Sequence, residues 1–141
     1  MTLRVSEALL DQVRREGERA YPAECCGVLA GRPGGIKQVL QLLPVVNRRT
    51  DDPHRYLVSP DDLRRAAEEL RQAELEVLGF YHSHPDHPAT PSDFDAEHAW
   101  PWYSYLILRV DRGRAAETAS WQLADDRSAM LPESIDVFTE V

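Results

Sequence analysis

The chain has 141 residues, a length that suits one domain with a hydrophobic core of its own, and we expect residues 1–141 to form that single domain. Its 24 acidic and 16 basic residues leave a net charge of −8, which argues against a protein that binds the phosphate backbone of nucleic acids. The charged N-terminus and the lack of a long apolar segment argue against a signal peptide and a membrane span, so the expected compartment is the cytoplasm.

The first half of the chain is predicted to contain one long helix followed by strands. The helix lies between Ser6 and Pro22, because apolar residues recur there at helical spacing behind a good N-cap residue. Apolar runs bounded by turn residues then predict strands at Cys25–Gly31, Ile36–Val46 and Tyr56–Val58, with a charged loop at Arg48–Arg55. The adjacent Cys25 and Cys26 do not suit a disulfide with each other, and we interpret them as small buried thiols.

The second half combines the best helix signal in the chain with four further strands. Ser59 is a good N-cap residue, Pro60 suits the first helical position, and Asp62 stands at position N3. Strands are predicted at Glu76–His84, Tyr103–Val110, Thr118–Leu123 and Ile135–Phe138, and a short helix at Ser92–Trp100. Hairpin-like neighbours and strand–helix–strand units occur in the same chain, which predicts an α/β fold with a mixed sheet and helices packed on it.

A cluster of metal-binding residue types lies around the end of one predicted strand. His82 and His84 are two residues apart, so at a strand end they point to the same side of the sheet. Ser92 begins the short helix, and Asp95 lies one turn inside it. The stiff segment Pro85–Pro91 can fold back and bring Asp95 opposite the two histidines. Two histidines and one carboxylate leave a fourth tetrahedral position for water, which is the layout of catalytic rather than structural zinc.

Each piece of this cluster also has an ordinary structural interpretation. Two histidines at a strand end are commonly solvated, and Ser92-x-x-Asp95 is by pattern a helix capping box. Ser59-x-x-Asp62 shows the same pattern in this chain with no sign of a metal. Glu24, taken alone, is a charged residue at a helix–strand junction. The residues by themselves therefore leave both interpretations open.

The order of these pieces along the chain resembles the JAMM, or MPN-plus, metalloprotease family. The resemblance begins with Glu24 ahead of the run CCGVLAG, continues through PVVN at residues 44–47, and is completed by His82-Ser83-His84-Pro85 with Ser92 and Asp95. It covers nearly the whole chain. It implies an MPN-type fold, in which a central curved mixed β-sheet is flanked by helices.

The resemblance also implies a role for each residue of the motif. The implied ligands of one zinc ion per chain are His82, His84 and Asp95. Glu24 is the implied general base, which takes a proton from water and then passes it to the leaving amine. Ser92 is implied to hydrogen-bond the oxyanion or to position the water.

Several other residues near the motif are interpreted separately. His87 and His98 are expected at the surface, while Asp86 is either a partner of a ligand histidine or a turn residue. Asn47 matches a recurrent position of the family, and we assign it no role. Three tryptophans are expected to pack in the core or on the sheet: Trp100, Trp102 and Trp121.

The reaction that the resemblance implies is metal-assisted hydrolysis of an amide or isopeptide bond. Members that cut ubiquitin chains carry insertions that grip two ubiquitins, whereas this chain has only short connections at Arg48–Arg55 and Pro85–Pro91. It is similar instead to compact bacterial members, which act on ubiquitin-like, β-grasp sulfur-carrier proteins that end in Gly-Gly. We therefore expect such a carrier as the partner, with its tail entering as an extended strand beside a sheet edge.

Two other functions remain as hypotheses. A non-catalytic, metal-binding MPN scaffold would keep the fold and bind a partner, although such a scaffold has no need of Glu24 together with all three ligands. The Pro-rich motif is also similar to that of a JAMM-related group linked by name to DNA repair, but the net charge of −8 argues against binding to DNA.

Overall fold

The computed structural model describes residues 2–45 and 60–139. In chain order its elements are β1 (Thr2–Ser6), α1 (Glu7–Ala20), β2 (Cys26–Arg32), β3 (Ile36–Val45), α2 (Pro60–Gln72), β4 (Glu76–Pro85), α3 (Asp93–His98), β5 (Ser104–Asp111), β6 (Arg114–Leu123) and β7 (Met130–Phe138). Four predicted features lie outside the described residues: Asn47, the loop Arg48–Arg55, the strand Tyr56–Val58 and the Ser59 cap. The other predicted helices and strands are present, although β6 and β7 begin earlier than predicted. Among the described helices, none has both the length and the apolar composition of a membrane span.

The seven strands form one closed barrel in the order β1-β3-β2-β4-β5-β6-β7. β1 runs parallel to both of its neighbours and β4 runs parallel to β5, while the other neighbouring pairs are antiparallel. The predicted mixed sheet is thus confirmed. Its closure by β1 is not predicted by the sequence analysis, in which the first element is the helix after Ser6, the residue that also ends β1.

The core lies on both faces of β2, whose residues Cys26–Gly31 are all buried. Val28 and Ala30 pack in one cluster with residues of α2, whereas Leu29 belongs to the cluster that contains Val13 of α1. Successive side chains of a strand point to opposite faces, so a strand covered on both sides is apolar throughout. β2 is therefore a central strand, and Glu24 lies two residues before its first residue, Cys26.

α1 begins at the predicted cap and packs closely against β5. The Ser6 hydroxyl accepts a hydrogen bond from the Leu9 N–H at 3.1 Å. An ideal Cβ at Gly17 would lie 2.5 Å from the Leu108 side chain, so the helix approaches the sheet at a distance that glycine permits. This packing fixes the last turns of α1 directly before Glu24.

The expectation that all three tryptophans pack in the core or on the sheet is wrong for Trp100, of which 64% is exposed. α3 ends at His98, earlier than predicted, and the buried residue of the following segment is Ala99. Trp102 is 38% exposed, with its ring 4.2 Å from the Lys37 ammonium. The half-buried Trp121 agrees with the expectation, and its indole N–H donates to the Ala89 carbonyl oxygen at 3.0 Å.

Lys37 is the only lysine of the chain, and it is fully buried. Its ammonium donates to the Trp102 carbonyl oxygen and, at 3.0 Å, to the Ser104 hydroxyl. Burial lowers the pKa of Lys37, and the charge of Glu133 partly offsets that effect. These bonds tie β3 to the segment that leads into β5.

Gly79→Ala is expected to lower the free energy of unfolding by about 1–3 kcal/mol. Gly79 of β4 is paired with Ser104 of β5, and an ideal Cβ at position 79 would lie 1.9 Å from the Ser104 carbonyl oxygen. Because that oxygen belongs to the backbone, the two strands must move apart. Unfolding in urea measures the effect, with Gly35→Ala as a matched control, since a Cβ at position 35 meets no atom within 4 Å. Equal stabilities of the two variants would contradict the close approach of β4 and β5.

Candidate metal centre

The end of β4 presents two histidine side chains to the same place. β4 lies between β2 and β5, and His82 is paired with Cys26 on one side and Ile107 on the other. The Nε2 atoms of His82 and His84 are 3.0 Å apart, and both side chains are buried. The i, i+2 spacing therefore has the predicted result, and the two imidazoles are shielded from solvent rather than solvated.

α3 brings the carboxylate of Asp95 to the same pair. Its two oxygens lie 3.2 Å from His82 Nε2 and 3.1 Å from His84 Nε2. The same carboxylate accepts the Ser92 backbone N–H at 2.9 Å, while the Ser92 hydroxyl accepts the Asp95 N–H at 3.1 Å. The capping box and the approach to the histidines, which the sequence left as alternatives, are both present.

The orientation of His84 is set by the Pro-rich segment between β4 and α3. His84 Nδ1 lies 2.8 Å from the Pro88 carbonyl oxygen. A carbonyl only accepts, so Nδ1 carries the proton of this bond and a neutral ring keeps Nε2 as an electron-pair donor. A partner of this kind typically orients a metal-binding histidine. No pattern of side chains in the sequence predicts this hydrogen bond, because its acceptor is a backbone carbonyl.

Glu24 lies beside the two histidines, although it precedes β2. One carboxylate oxygen of Glu24 and one nitrogen from each of His82 and His84 all lie within 4.8 Å of one another, and Glu24 is buried. The neighbouring backbone is held by Ser83, whose hydroxyl accepts the Cys25 N–H at 2.9 Å and whose N–H donates to the Cys25 carbonyl at 3.1 Å. Ser83 is a positioning residue that the sequence analysis missed.

The electrostatics favour the protonation states that bind a cation. Burial lowers the pKa of His82, against a smaller raising effect of the Asp95 carboxylate. Burial alone would raise the pKa of Asp95, but hydrogen bonds and charges from His82, His84 and the Ser92 backbone outweigh it, so that pKa is lowered. A neutral imidazole and an ionised carboxylate are the forms that bind metal ions.

The two cysteines next to Glu24 are neutral thiols when no cation is bound. Burial raises the pKa of Cys25 to about 11 and that of Cys26 to about 12. The thiolate is therefore scarce at neutral pH at both positions. Cys26 is buried on β2, as predicted, whereas Cys25 is only half-buried and precedes that strand.

The remaining sequence candidates occupy different positions. Ser92 is exposed at the start of α3, where its hydroxyl caps the helix. His87 and His98 are exposed, as expected. Asp86 accepts the Tyr21 hydroxyl at 2.6 Å and the Arg112 N–H at 2.8 Å, which favours the turn interpretation over support of a histidine.

The donor atoms converge as they would around a shared cation. The Nε2 atoms of His82 and His84 are 3.0 Å apart, and each lies 3.2 or 3.1 Å from a different oxygen of the Asp95 carboxylate. The two Nε2 atoms face each other, and both also face the Asp95 carboxylate. When these atoms all carry lone pairs they repel one another, so a proton or a metal ion is needed between them. The residues present therefore fit a metal ion.

Comparison with known proteins connects this site to a family. The family of prokaryotic homologs of the JAB domain matches residues 6–124. The desampylase of Haloferax volcanii is 36% identical over 106 residues, which cover 74% of this chain and 76% of that protein. The probable TtuB-protein conjugate cleaving protease of Thermus thermophilus is 34% identical over 115 residues, covering 82% and 75%. The CysO-cysteine peptidase of Mycobacterium tuberculosis is 28% identical over 132 residues, covering 92% and 86%.

Solved structures agree with the fold described above. A protein of Desulfitobacterium hafniense matches with a TM-score of 0.85 and 27% identity, over 100% of this chain and 95% of that chain. A JAB1/MPN domain protein of Archaeoglobus fulgidus matches with a TM-score of 0.60 and 16% identity, over 98% and 99%, a likeness of fold alone. The expected MPN-type fold is confirmed, and the chain belongs to the family of prokaryotic JAB-domain proteins.

Proposed function

We propose that this chain is a zinc-dependent peptidase that hydrolyses the amide bond after the Gly-Gly tail of a ubiquitin-like, β-grasp sulfur-carrier protein. Residues 1–141 act as one domain in the cytoplasm. The observation that carries the proposal is the convergence of His82, His84 and Asp95 beside Glu24. Relatives named for cleaving TtuB conjugates and CysO-cysteine support the class of substrate.

Zinc is the metal that the donor set fits best. Four tetrahedral donors at about 2.0–2.1 Å from zinc lie about 3.4 Å from one another. The two histidine Nε2 atoms lie 3.0 Å apart, and each is 3.1–3.2 Å from one oxygen of the Asp95 carboxylate, close to that spacing. Two nitrogens and one oxygen leave a fourth position for a non-protein ligand, as in catalytic zinc sites. When bound, zinc supplies Lewis acidity, which polarises a carbonyl group and lowers the pKa of water to about 7.

Glu24 is the proposed general base and acid of the hydrolysis. Its buried carboxylate is within reach of a water molecule held near the two histidines. The water oxygen forms a bond to the glycine carbonyl carbon, and the carbon–nitrogen bond then breaks. Glu24 takes a proton from the water and gives it to the leaving nitrogen. The products are a carboxylic acid and an amine, which at neutral pH are the carboxylate and the ammonium ion. Ser83 supports this role of Glu24, because its hydroxyl accepts the N–H of Cys25, the residue after Glu24, and so fixes the backbone there.

Ser92 is the proposed donor to the developing oxyanion. Its hydroxyl oxygen accepts from the Asp95 N–H, which leaves the hydroxyl proton available for donation. A donor held in place by a helix cap needs little reorganisation as negative charge develops on the carbonyl oxygen. The same hydroxyl therefore serves the helix and the reaction.

The end of β3 is the proposed path of the carrier tail. β1 pairs with β3 only through Ile36–Gln38, so among the described strands the remainder of β3 has a partner on one side only. Val45 is paired with Cys26, and Cys26 with His82, which places this edge level with the histidines. An extended tail added to such an edge gains backbone hydrogen bonds. Glycines suit a tail that passes close to buried side chains.

Asp95→Asn is expected to reduce bound zinc from about one ion per chain to near zero. The amide keeps an oxygen that can accept from the Ser92 N–H, so the helix cap is retained while the anionic ligand is lost. Mass spectrometry of the protein purified without chelator measures the metal. Asp93→Asn, an exposed position in the same helical turn, is the matched control and should keep its zinc. Full zinc content in Asp95→Asn would contradict the ligand assignment.

Glu24→Gln is expected to keep its zinc and to lower kcat by about 10²–10⁴-fold, because the amide cannot transfer the proton. Cleavage of a CysO–cysteine conjugate and of a TtuB–protein conjugate, followed by mass spectrometry, provides the assay. The control is Glu97→Gln, an exposed position on α3, which should cleave like the unmodified chain. Unchanged cleavage by Glu24→Gln would refute the mechanism, and metal binding without any cleavage by the unmodified chain would support the scaffold hypothesis instead.

A further inference from the structure

A cavity of about 340 Å³ lies on the side of Glu24 that faces α1. Its walls include Glu16 and Arg19 from the last turns of α1, together with Glu24, Cys25 and, at the end of β3, Val45. Two carboxylates and one guanidinium thus line a space next to the proposed general base. The volume suits a small molecule and not a folded domain.

Glu16 is held in this wall by a buried tyrosine. The Tyr81 hydroxyl donates to Glu16 at 2.7 Å, and Tyr81 is fully buried. The tyrosine ring fills the space beside Gly27, where an ideal Cβ would lie 2.3 Å from it. Burial raises the pKa of Glu16, while the Tyr81 hydrogen bond and the charge of Arg19 act in the opposite direction. The position of Glu16 is therefore built into the fold.

Arg19 shares the helix face of Glu16, three residues further along α1. Arg19 is exposed and also contributes to the lining of the cavity. A guanidinium in this position can bind a carboxylate with two parallel hydrogen bonds.

We propose that this cavity receives the leaving group and that Arg19 is a specificity-determining residue, which binds the α-carboxylate of a leaving amino acid such as the cysteine of a CysO–cysteine conjugate. The inference rests on the proposed function and assigns one residue of this chain to the recognition of that leaving group. A Gly-Gly tail carries no charge and gains nothing from these walls. The leaving nitrogen becomes an ammonium group, which Glu24 and Glu16 stabilise, and the carboxylate of the same amino acid pairs with Arg19.

The chemistry of the step is ordinary hydrolysis. Water adds its oxygen to the last glycine carbonyl carbon, the bond from that carbon to the α-nitrogen breaks, and a proton reaches the nitrogen through Glu24. The products are the carrier with a free terminal carboxylate and the released amino acid as a zwitterion. A lysine side chain within a protein has no carboxylate beside its amine, so it lacks the group that Arg19 binds.

Two probes that differ only in one charge test the inference. A Gly-Gly-tailed CysO carrier is extended by one alanine, whose terminal group is either the free carboxylate or the neutral carboxamide. The zinc-loaded chain is expected to cleave the carboxylate probe with a kcat/KM about tenfold higher than the carboxamide probe, mainly through KM. Arg19→Gln should remove this preference by lowering kcat/KM for the carboxylate probe alone.

Arg15→Gln is the matched control, because Arg15 is an exposed arginine one turn earlier on the same helix and outside the described lining of the cavity. This variant should keep the preference, and thermal unfolding of both variants checks that α1 is intact. Equal cleavage of the two probes by the unmodified chain, or an equal loss on both in Arg19→Gln, would overturn the inference and leave the proposed function standing. Cleavage of neither probe nor of any conjugate would overturn the proposed function, and the inference with it.

Discussion

The carboxylate of Asp95 both caps α3 and contacts the two histidines of β4, and the rest of the site depends on this pair of interactions. Toward Ser92 it closes the N-terminus of α3 with a capping box, and toward β4 its two oxygens each meet one imidazole. A helix of six residues is too short to be stable on its own, so its place is set by these contacts. A metal ion bound here would accordingly be coupled to the folding of α3 and of the segment before it.

Local spacing in the sequence was sufficient to predict the parts of the site whose residues lie close together in the chain. The pairing of His82 with His84 follows from the period of a strand, and the position of Asp95 from the spacing of a helix cap. That Glu24 lies close to these residues was predicted only from the family resemblance, because no spacing rule relates residues that are distant in sequence. Support from Ser83 and from the Pro88 carbonyl depends on the pairing of β2 with β4 and on a folded loop, and neither has a sequence signature.

The same distinction between local and distant contacts applies to the fold. The helices and six of the seven strands follow patterns that a short window of sequence contains, although β6 and β7 begin before their patterns become clear. Closure of the barrel requires β1 to pair with β3 and with β7 from the far end of the chain. The exposure of Trp100 was also not predicted. α3 ends at His98 rather than at Trp100, and in the segment that follows Ala99 is buried and Trp100 is exposed.

The proposed recognition of the substrate involves the two sides of the β3 end. A cavity of about 300 Å³ lies between that end and α2, and the cavity of about 340 Å³ lies toward α1. Val45 contributes to both. The tail and the leaving group of one substrate can thus occupy different surfaces, which lets the two halves of the substrate be selected independently.

The burial of Lys37 limits whether the chain itself can be joined to a ubiquitin-like protein through a lysine. Conjugation of a ubiquitin-like protein to a lysine requires that the ε-amine be reachable and unprotonated at the moment of attack. Lys37 is the only lysine among the 141 residues, and its amine is enclosed by Trp102 and Ser104. In the folded state, residues 1–141 therefore offer a conjugating enzyme no reachable lysine.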